Sequence, residues 1–330
     1  MNKKKPKFSI ICLLRQNYKC YYSDLLNHLM NQSFSDFECI FIVNENGMDW
    51  VQIPDDRFRV SFIEIEEMAK RRNYGISLSK GDYVVFCDAD DYFDENILLN
   101  FSKIADSSNP DLIIPLITRE ENYLGKVLDN AADIILPNRQ SILDFFVKRY
   151  IQGVFFEGLN LDGSWCRAIK RKTLIDHGIC FLEEPCRAED SLFMNDLIIW
   201  CKKVVITPYY GYFWRPNNNS EMSKIFSFFY NVSPYFDKLY SQFLKAGYSI
   251  SVYTNHCANI LVSQIVLFSK ARRKGIISYK DFKQKLLSFS PTDKNAKAAL
   301  FRFNKLSIKK NVCLLLFRLK AFRFLQYVSR

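Results

Sequence analysis

The sequence predicts an α/β protein: a Rossmann-like, mainly parallel sheet flanked by helices, followed by a C-terminal helical region. Two observations predict this. Short apolar runs alternate with helical hydrophobic patterns in the first third of the 330 residues, and strands alternating with helices favour a parallel sheet covered on both faces. After Phe226 the pattern becomes mostly helical. We therefore predict a first domain over residues 1–225 and a helical C-terminal region over 226–330.

The elements of the first domain follow from hydrophobic periodicity. A short continuous apolar run is typical of a strand buried on both faces, and it predicts strands over residues 8–14, 37–43, 59–65, 83–87 and 112–117. Apolar residues at three- and four-residue spacing predict helices over residues 21–30, 66–79 and 94–105. Gly81 follows the second of these helices and is read as its stop signal.

The composition is that of a globular protein with a basic surface. Apolar residues make up 48% of the chain, and 46 Lys and Arg against 35 Asp and Glu give a net charge of +11. A charge this basic favours a polyanionic partner, such as nucleic acid, an anionic membrane surface or a phosphorylated substrate. No nucleic-acid recognition motif is found, so we expect no nucleic-acid partner.

The cysteines and apolar runs indicate where the protein works. The ten cysteines form no Cys-x-x-Cys pair, which argues against a zinc ribbon and favours reduced core thiols in the cytosol. The apolar run behind the basic start is too short for a secretory signal, and none reaches the roughly 18 residues of a membrane span. We expect a cytoplasmic protein, peripheral at the inner face of the cell membrane.

Three carboxylates follow the predicted strand 83–87 directly, in the run Asp88-Ala89-Asp90-Asp91. Ligands of parallel sheets bind beyond the carboxyl ends of the strands, and Asp-x-Asp places two carboxylates on one side of an extended segment. Hard divalent ions such as Mg²⁺ or Mn²⁺ take one or two carboxylates together with substrate phosphates. The alternative is a solvated acidic loop at the start of the helix from Asp94. A calcium loop is excluded because Phe93 stands where it needs glycine.

The surrounding sequence resembles the signature of family-2 glycosyltransferases, which runs Ala-Arg-Asn-x-Gly, then Gly-Glu-Tyr, an apolar strand and Asp-Ser-Asp-Asp. Here the matching segments are RNYGI at residues 72–76 and KGDYVVFCDADDY at 80–92. Further segments similar to the family follow the same order, at residues 8–17, 31–38, 164–170, 189–193 and 209–223. The resemblance spans about residues 6–225 and implies the GT-A fold.

The resemblance also implies the reaction and its residues. It implies a nucleotide-diphosphate sugar donor, expected to be a UDP-sugar, a divalent metal (Mn or Mg), and inversion at the sugar. Asp90 and Asp88 would hold the metal, with Asp91 in support, and Asp190 would be the catalytic base beside Glu189. Trp165 would bind the acceptor. The donor would contact Leu14, Gln16, Asn17, Asn44, Arg72, Asn73, Asp88, Ala89, Arg215 and Ser220.

Two segments depart from the family pattern. After the first strand the family usually has Pro-x-Tyr-Asn, whereas this chain has Leu14-Arg15-Gln16-Asn17. After the second strand the family usually has Asp-Asp or Asp-Asn-Gly-Ser, and its first Asp binds the uracil ring. This chain has Asn44-Glu45-Asn46-Gly47. An asparagine amide offers donors as well as acceptors, so either the nucleobase differs or Glu45 takes over its binding.

Other interpretations stay open at several residues. Glu189 and Asp190 also suit the N-terminus of a helix, where acidic side chains are favourable, and Trp165 also suits a core position. Residues 294–330 contain ten Lys or Arg and no Asp or Glu, with apolar residues interleaved. This basic tail fits an anionic membrane surface or a helix packed on the protein with a solvated basic face.

The sequence therefore supports three functions. The first is a glycosyltransferase acting on a glycan, with a lipid-linked surface polysaccharide or lipooligosaccharide as the expected acceptor. The second is a glycosyltransferase-like protein that binds sugar or partners without catalysis. The third is a membrane- or nucleic-acid-binding module whose functional part is the basic tail.

Overall fold

The computed structural model describes residues 5–44, 48–152, 158–184, 188–216, 233–287, 291–300 and 308–328. Within these residues nine strands form one mixed sheet. The strands are β1 Phe8–Leu14, β2 Phe37–Val43, β3 Phe58–Phe62, β4 Tyr83–Asp88, β5 Tyr92–Phe93, β6 Leu112–Thr118, β7 Ile134–Leu136, β8 Ala168–Lys170 and β9 Val204–Phe213.

Twelve α-helices lie in the same residues. They are α1 Lys19–Met30, α2 Met68–Leu78, α3 Ile97–Ser108, α4 Arg139–Gln152, α5 Arg171–Asp176, α6 Glu189–Trp200, α7 Ser233–Ala246, α8 Ile250–Arg273, α9 Tyr279–Leu287, α10 Lys294–Leu300, α11 Ile308–Arg318 and α12 Phe322–Val328. None of the helices described here combines the length and the apolar character that crossing a bilayer requires.

Four parallel strands form one side of the sheet, in the order β3-β2-β1-β4. The order continues through β8, β6, β9 and β5, and β7 also pairs with β9. Strand β8 runs antiparallel to both neighbours, whereas β6 and β9 are parallel. The apolar runs of β1, β2 and β4 are almost wholly buried, as expected for strands covered on both faces. The predicted Rossmann-like sheet is confirmed.

The short strand β8 joins the two halves of the sheet near one end. It pairs with Tyr83 and Val84 at the start of β4 and with Leu112 and Ile113 at the start of β6. Along the rest of β4, the bridge on that side in the described residues is between Phe86 and Trp165. The carboxyl-terminal half of β4 is therefore less tightly joined to the sheet on this side than on the side of β1.

Several element boundaries differ from the sequence prediction for local reasons. Strand β3 ends at Phe62 rather than residue 65, because its partner β2 ends at Val43, which pairs with Phe62. Helix α3 begins at Ile97 rather than residue 94, because the Asp94 carboxylate accepts the backbone N–H of Asn96 in a turn before the helix.

Gly81 has a different role from the predicted helix stop. Helix α2 ends at Leu78, with Ser79 in the capping position. Gly81 instead passes close to β1: a Cβ atom there would lie 2.6 Å from the backbone nitrogen of Ser9. The Ser9 hydroxyl accepts the backbone N–H of Gly81 at 2.7 Å. Gly81 is therefore required by the approach of two backbones at the start of β4.

The chain forms two compact units. The described parts of Met1–Phe145, Val154–Glu183 and Phe193–Asn217 belong to the first, and those of Phe146–Gly153, Glu184–Leu192 and Asn218–Arg330 to the second. The predicted domain boundary at 225/226 lies outside the described residues. Two earlier segments that the prediction placed in the first domain thus belong with the C-terminal helices.

Packing within the second unit explains why those two segments belong to it. The Tyr150 ring at the end of α4 lies 4.9 Å from the Phe243 ring of α7 and 4.4 Å from the His256 ring of α8. The buried Gln242 amide of α7 donates to the backbone carbonyl of Leu192 in α6 at 2.8 Å. Aromatic contacts and a buried hydrogen bond therefore hold the ends of α4 and α6 against the C-terminal helices.

Candidate active site

The candidate site lies where the direction of strand order changes. From β1 the chain builds outward to β2 and β3 and then returns to place β4 on the other side of β1. In such sheets ligands bind beyond the carboxyl ends of the strands at this switch point. Leu14 ends β1, and Asp88, which ends β4, pairs with Leu13 in β1. The acidic run is thus at the position where this fold class binds its ligands.

Arg72 of α2 faces the first carboxylate of the run. Its guanidinium nitrogen lies 3.4 Å from the Asp88 carboxylate, and it also lies over the Phe181 ring, 5.2 Å from the ring centre. The Arg72 side chain is 3% exposed, whereas that of Asp88 is 36% exposed. A buried cation therefore fixes a carboxylate that remains open to solvent and to a ligand.

Asp91 is the buried member of the acidic run. One carboxylate oxygen accepts the Tyr212 hydroxyl at 2.7 Å, and the other accepts the backbone N–H of Arg215 at 2.9 Å. Burial, reinforced by the charges of Asp88 and Asp90, raises the pKa of Asp91 to about 8. Its two oxygens tie the end of β4 to the end of β9; its supporting role in a metal site stays a prediction.

Arg215, which the resemblance places among the donor-binding residues, lies against the acidic run. Its Nε donates to the backbone carbonyl of Asp90 at 3.0 Å, and its Nη2 donates to the Asp24 carboxylate of α1 at 2.9 Å. The guanidinium lies over the Tyr21 and Tyr92 rings, at 5.1 and 5.2 Å from their centres. The Arg215 side chain is therefore fixed in position beside the acidic run. Ser220, its predicted companion, lies outside the described residues.

Asn44, at the end of β2, is paired with a second buried arginine. Its Oδ1 accepts from Arg71 Nη1 at 3.1 Å, and the same nitrogen donates to the Leu14 carbonyl at 3.3 Å. Asn44 is 5% exposed and Arg71 1% exposed. Because Arg71 can only donate, it fixes the orientation of the amide and leaves Nδ2, which has no hydrogen-bond partner in the described structure, on the other side. Glu45 lies outside the described residues.

The remaining predicted donor residues differ in how they are held. The Asn73 amide exchanges two hydrogen bonds with the Phe181 backbone, at 3.0 and 2.8 Å, and so positions that segment. Gln16 and Asn17 are exposed in a short 3₁₀ turn, where Gln16 Oε1 accepts the Trp50 indole N–H at 2.7 Å. Ala89 is buried. Gln16 and Asn17 thus remain open to a ligand, whereas the polar atoms of Asn73 are engaged within the protein.

Trp165, the predicted acceptor residue, belongs to an aromatic pair. Its ring lies 6.2 Å from the Trp214 ring, and the Arg119 guanidinium lies 3.7 Å over Trp214. Both tryptophans are half-buried. The structure thus adds Trp214 and Arg119 to the candidate site. The sequence signal that could have found Trp214 is its position beside Arg215.

Glu189 and Asp190 occupy the first turn of α6 and are half-buried. They belong to the second unit. Acidic side chains in the first turn of a helix are stabilised by the helix dipole, so the interpretation as a helix start fits their position. Their catalytic role stays a prediction.

The acidic run is compatible with a divalent cation. Among the described residues, no group of three or more His, Cys, Asp and Glu is arranged to hold a metal. A Mg²⁺ or Mn²⁺ ion that bridges substrate phosphates needs only one or two carboxylates from the protein. Asp88 and Asp90 are both half-exposed, and their charges raise the pKa of Asp91. A cation at these two carboxylates would offset that repulsion, so the residues fit the predicted metal.

The strand order and the acidic strand end define the GT-A class of α/β proteins. Residues 11–161, somewhat less than half of the chain, match the family model of Glycosyl transferase family 2.

The relatives of this chain carry glycosyltransferase names. Putative glycosyltransferase EpsH of Bacillus subtilis (strain 168) is 28% identical over 59% of this chain and 58% of its own length. Poly(ribitol-phosphate) beta-N-acetylglucosaminyltransferase TarS of Staphylococcus aureus (strain MW2) is 23% identical over 65% of this chain and 36% of its own length. The chain therefore matches less than two thirds of each of these relatives.

The solved structures that resemble this chain confirm its fold. The crystal structure of S. aureus TarS 1-349 in complex with UDP-GlcNAc superimposes with a TM-score of 0.64 at 17% identity, over 98% of this chain and 90% of the other. The structure of the same TarS fragment with UDP gives a TM-score of 0.62 at 17% identity, with the same coverage. The predicted GT-A fold and the helical C-terminal region are thus confirmed.

Proposed function

We propose that the protein transfers a sugar from a nucleotide-diphosphate sugar to a hydroxyl group of a glycan acceptor, with inversion at the anomeric carbon. The observation that carries this proposal is the meeting of Asp88, Asp90 and two arginines, Arg72 and Arg215, at the switch point of the sheet. A diphosphate donor needs cations for its phosphates and a site for a bridging metal ion, and this cluster offers both.

Asp88 and Asp90 would hold a divalent Mn or Mg ion, which when bound neutralises charge on the leaving diphosphate as a Lewis acid. Arg215 would add a fixed positive charge beside the same phosphates, because its guanidinium is already held by Asp24 and the Asp90 carbonyl. Ser220 is proposed to join it. A preorganised cation stabilises developing charge without reorganising at the moment of reaction.

The donor is proposed to be a UDP-sugar, with Leu14, Gln16, Asn17 and Asn44 around the nucleoside. The TarS structures with UDP-GlcNAc and UDP support a donor of this class. Arg71 takes up one lone pair of Asn44 Oδ1, and Nδ2 is the amide atom that has no hydrogen-bond partner in the described structure. Asn44 would therefore donate to a carbonyl or ring nitrogen of the nucleobase.

The chemical step is proposed to be a direct displacement. The acceptor oxygen bonds to the anomeric carbon, the bond between that carbon and the phosphate oxygen breaks, and the diphosphate leaves with the bonding electrons. Asp190 would accept the proton of the attacking hydroxyl, with Glu189 beside it in the first turn of α6. One carboxylate suffices for this proton transfer.

The acceptor is proposed to be a lipid-linked surface polysaccharide or lipooligosaccharide, and the protein to work in the cytoplasm at the membrane. Trp165 and Trp214 offer aromatic faces on which a sugar ring can stack. The net charge of +11 suits a substrate that carries phosphates or lies on an anionic surface.

The proposal is tested by measuring release of UDP from UDP-sugars in the presence of Mn²⁺. We expect Asp190→Asn to lower the turnover by about 100-fold or more, as loss of a general base does. Asp196→Asn, a change of the same kind in the same helix, should retain most of the activity. Unchanged turnover in Asp190→Asn would remove the base assignment. Nucleotide binding without turnover on any sugar nucleotide would favour the protein that binds without catalysis.

A further inference from the structure

Helix α11 has two apolar faces; in the part of the chain that the structure describes, one face is buried and the other is exposed. Cys313, Leu314 and Phe317 are 1%, 7% and 7% exposed, and the helix packs against α8. A helix in a globular protein usually turns a polar face to solvent. The opposite face of α11, which is apolar and exposed, departs from this pattern.

That opposite face carries a continuous row of exposed apolar side chains, which we call the α11 stripe. Its members are Ile308, Val312, Leu315 and Leu319, which are 85%, 38%, 43% and 66% exposed. They recur every three or four residues, so they share one face of the helix. The backbone N–H of Leu319 donates to the carbonyl of Leu315 at 2.9 Å, which continues the helical turn to the end of the stripe.

The charged residues near the stripe in the sequence are all of one sign. Arg318 and Lys320 flank its end and are exposed, as is Arg323 one turn further on in α12. Residues 294–330 contain ten Lys or Arg and no Asp or Glu. Phe324 in α12 is 65% exposed and adds an aromatic side chain to the same region of the sequence. Apolar side chains with cationic flanks are typical of helices that lie in the interface of an anionic bilayer.

A second copy of the chain is a poorer partner for this face. In a symmetric dimer the same patch faces itself, so the cations around the stripe would oppose each other. Like charges that meet across an interface disfavour association. Anionic headgroups satisfy the cations while the acyl boundary takes up the apolar side chains.

We propose that the α11 stripe docks the protein on anionic lipid bilayers, with Arg318 and Lys320 at the lipid phosphates. This surface rests on the exposure of α11 and its charges and is independent of the proposed glycosyl transfer. It would also place the protein where a lipid-linked acceptor is found.

The test is flotation of the full chain with vesicles of phosphatidylcholine alone or mixed with phosphatidylglycerol. We expect flotation with the anionic vesicles only, and loss of it at high salt, since salt screens the charges. Leu315→Ser/Leu319→Ser should weaken binding by about tenfold or more. Leu244→Ser/Ile135→Ser is the matched control: these side chains are 54% and 56% exposed elsewhere, and binding should stay unchanged.

A second variant, Arg318→Glu/Lys320→Glu, keeps the stripe and reverses the charge beside it. We expect about a tenfold or greater loss on anionic vesicles, with a Tm equal to that of the unmodified chain. Equal flotation on both lipid mixtures, or no effect of either variant, overturns the proposal. A concentration-dependent dimer that disappears in Leu315→Ser/Leu319→Ser, without vesicle binding, would assign the face to a second copy. Turnover of sugar nucleotides in solution is measured separately, so the proposal of membrane docking and the proposal of glycosyl transfer can each fail independently of the other.

Discussion

Tyr212 serves two partners at once at the end of β9. Its hydroxyl donates to the Asp91 carboxylate and accepts the backbone N–H of Asp88 at 3.3 Å, and the side chain is fully buried. Burial raises the pKa of Asp91, and the Tyr212 hydrogen bond lowers it. The Tyr212 hydroxyl therefore reduces the free-energy cost of burying the Asp91 carboxylate beside Asp88 and Asp90.

We predict that Tyr212→Phe lowers the free energy of unfolding by about 1–3 kcal/mol, because a buried acceptor loses its donor. The pKa of Asp91 is higher in the folded protein than in the unfolded protein. Asp91 therefore contributes stability at low pH, and this contribution is lost as the pH rises towards about 8. Removal of Tyr212 raises this pKa further, so the loss should continue above pH 8. Urea unfolding of the variant and of the unmodified protein, with a chelator present at pH 6 and at pH 9, measures this loss of stability.

The control for that variant is Tyr83→Phe. The Tyr83 hydroxyl, which this change removes, donates to the neutral Pro110 carbonyl at 2.9 Å. Hydrogen bonds to charged acceptors are stronger than those to neutral ones, so Tyr83→Phe should cost less and show a smaller dependence on pH. Equal losses at both pH values in the two variants would contradict the role given to Asp91.

The amide of Asn44 is expected to affect nucleobase choice. We predict that Asn44→Asp raises the affinity for UDP relative to CDP, since a carboxylate accepts the N3–H of uracil but repels the N3 lone pair of cytosine. Arg71 would pair with the new carboxylate. Isothermal titration with both nucleotides, with exposed Asn96→Asp as control, measures the ratio. An unchanged ratio would separate Asn44 from the base.

At the scale of elements, the buried parallel strands are the best predicted part of the fold. Strands β1 and β2 begin and end at the predicted residues because continuous apolar runs leave few alternatives. Strand β9 was not predicted, although all ten of its residues are buried. Thr207, Pro208 and Gly211 interrupt its apolar pattern, and a bulge in its pairing with β6 absorbs the irregularity.

The candidate site also contains some residues that the sequence could predict and others that it could not. Asp88, Asp90 and Arg215 could be predicted because they lie in local motifs whose order follows the chain. Arg71 could not be assigned from any motif, and Trp214 could have been found only from its position beside Arg215. The sequence separates Asp24 from Arg215 by 191 residues, and the packing of α1 against β5, which pairs with β9, brings them together.

The start of β4 provides a prediction at this scale. Gly81→Ala should lower the free energy of unfolding by about 1–3 kcal/mol, because the new Cβ would lie 2.6 Å from the Ser9 backbone nitrogen and strand β1 would have to shift. Denaturant unfolding measures the loss. The neighbouring exposed Lys80→Ala should change stability by less than about 0.5 kcal/mol. Equal effects of the two changes would contradict the close approach.

At the scale of the whole molecule, metal and nucleotide should stabilise the protein together. If Asp88 and Asp90 hold an ion that also contacts the diphosphate, Mn²⁺ with UDP should raise Tm more than the sum of the two separate shifts. Thermal unfolding with each ligand alone and with both measures this coupling. Asp90→Asn should abolish the excess, and Asp162→Asn, an exposed change, should preserve it. Additive shifts would remove the metal proposal.

The short strand β8 has a consequence for how the acidic run is held in place. Because β8 pairs with β4 near its first residues, the carboxyl-terminal half of β4 is joined on this side by the bridge between Phe86 and Trp165 and by hydrogen bonds to the acidic run. Those hydrogen bonds are made with Tyr212 and Arg215. On the other side β4 is paired with β1 along six residues. The position of the carboxylates thus depends on regular strand pairing on one side and on a few side chains on the other.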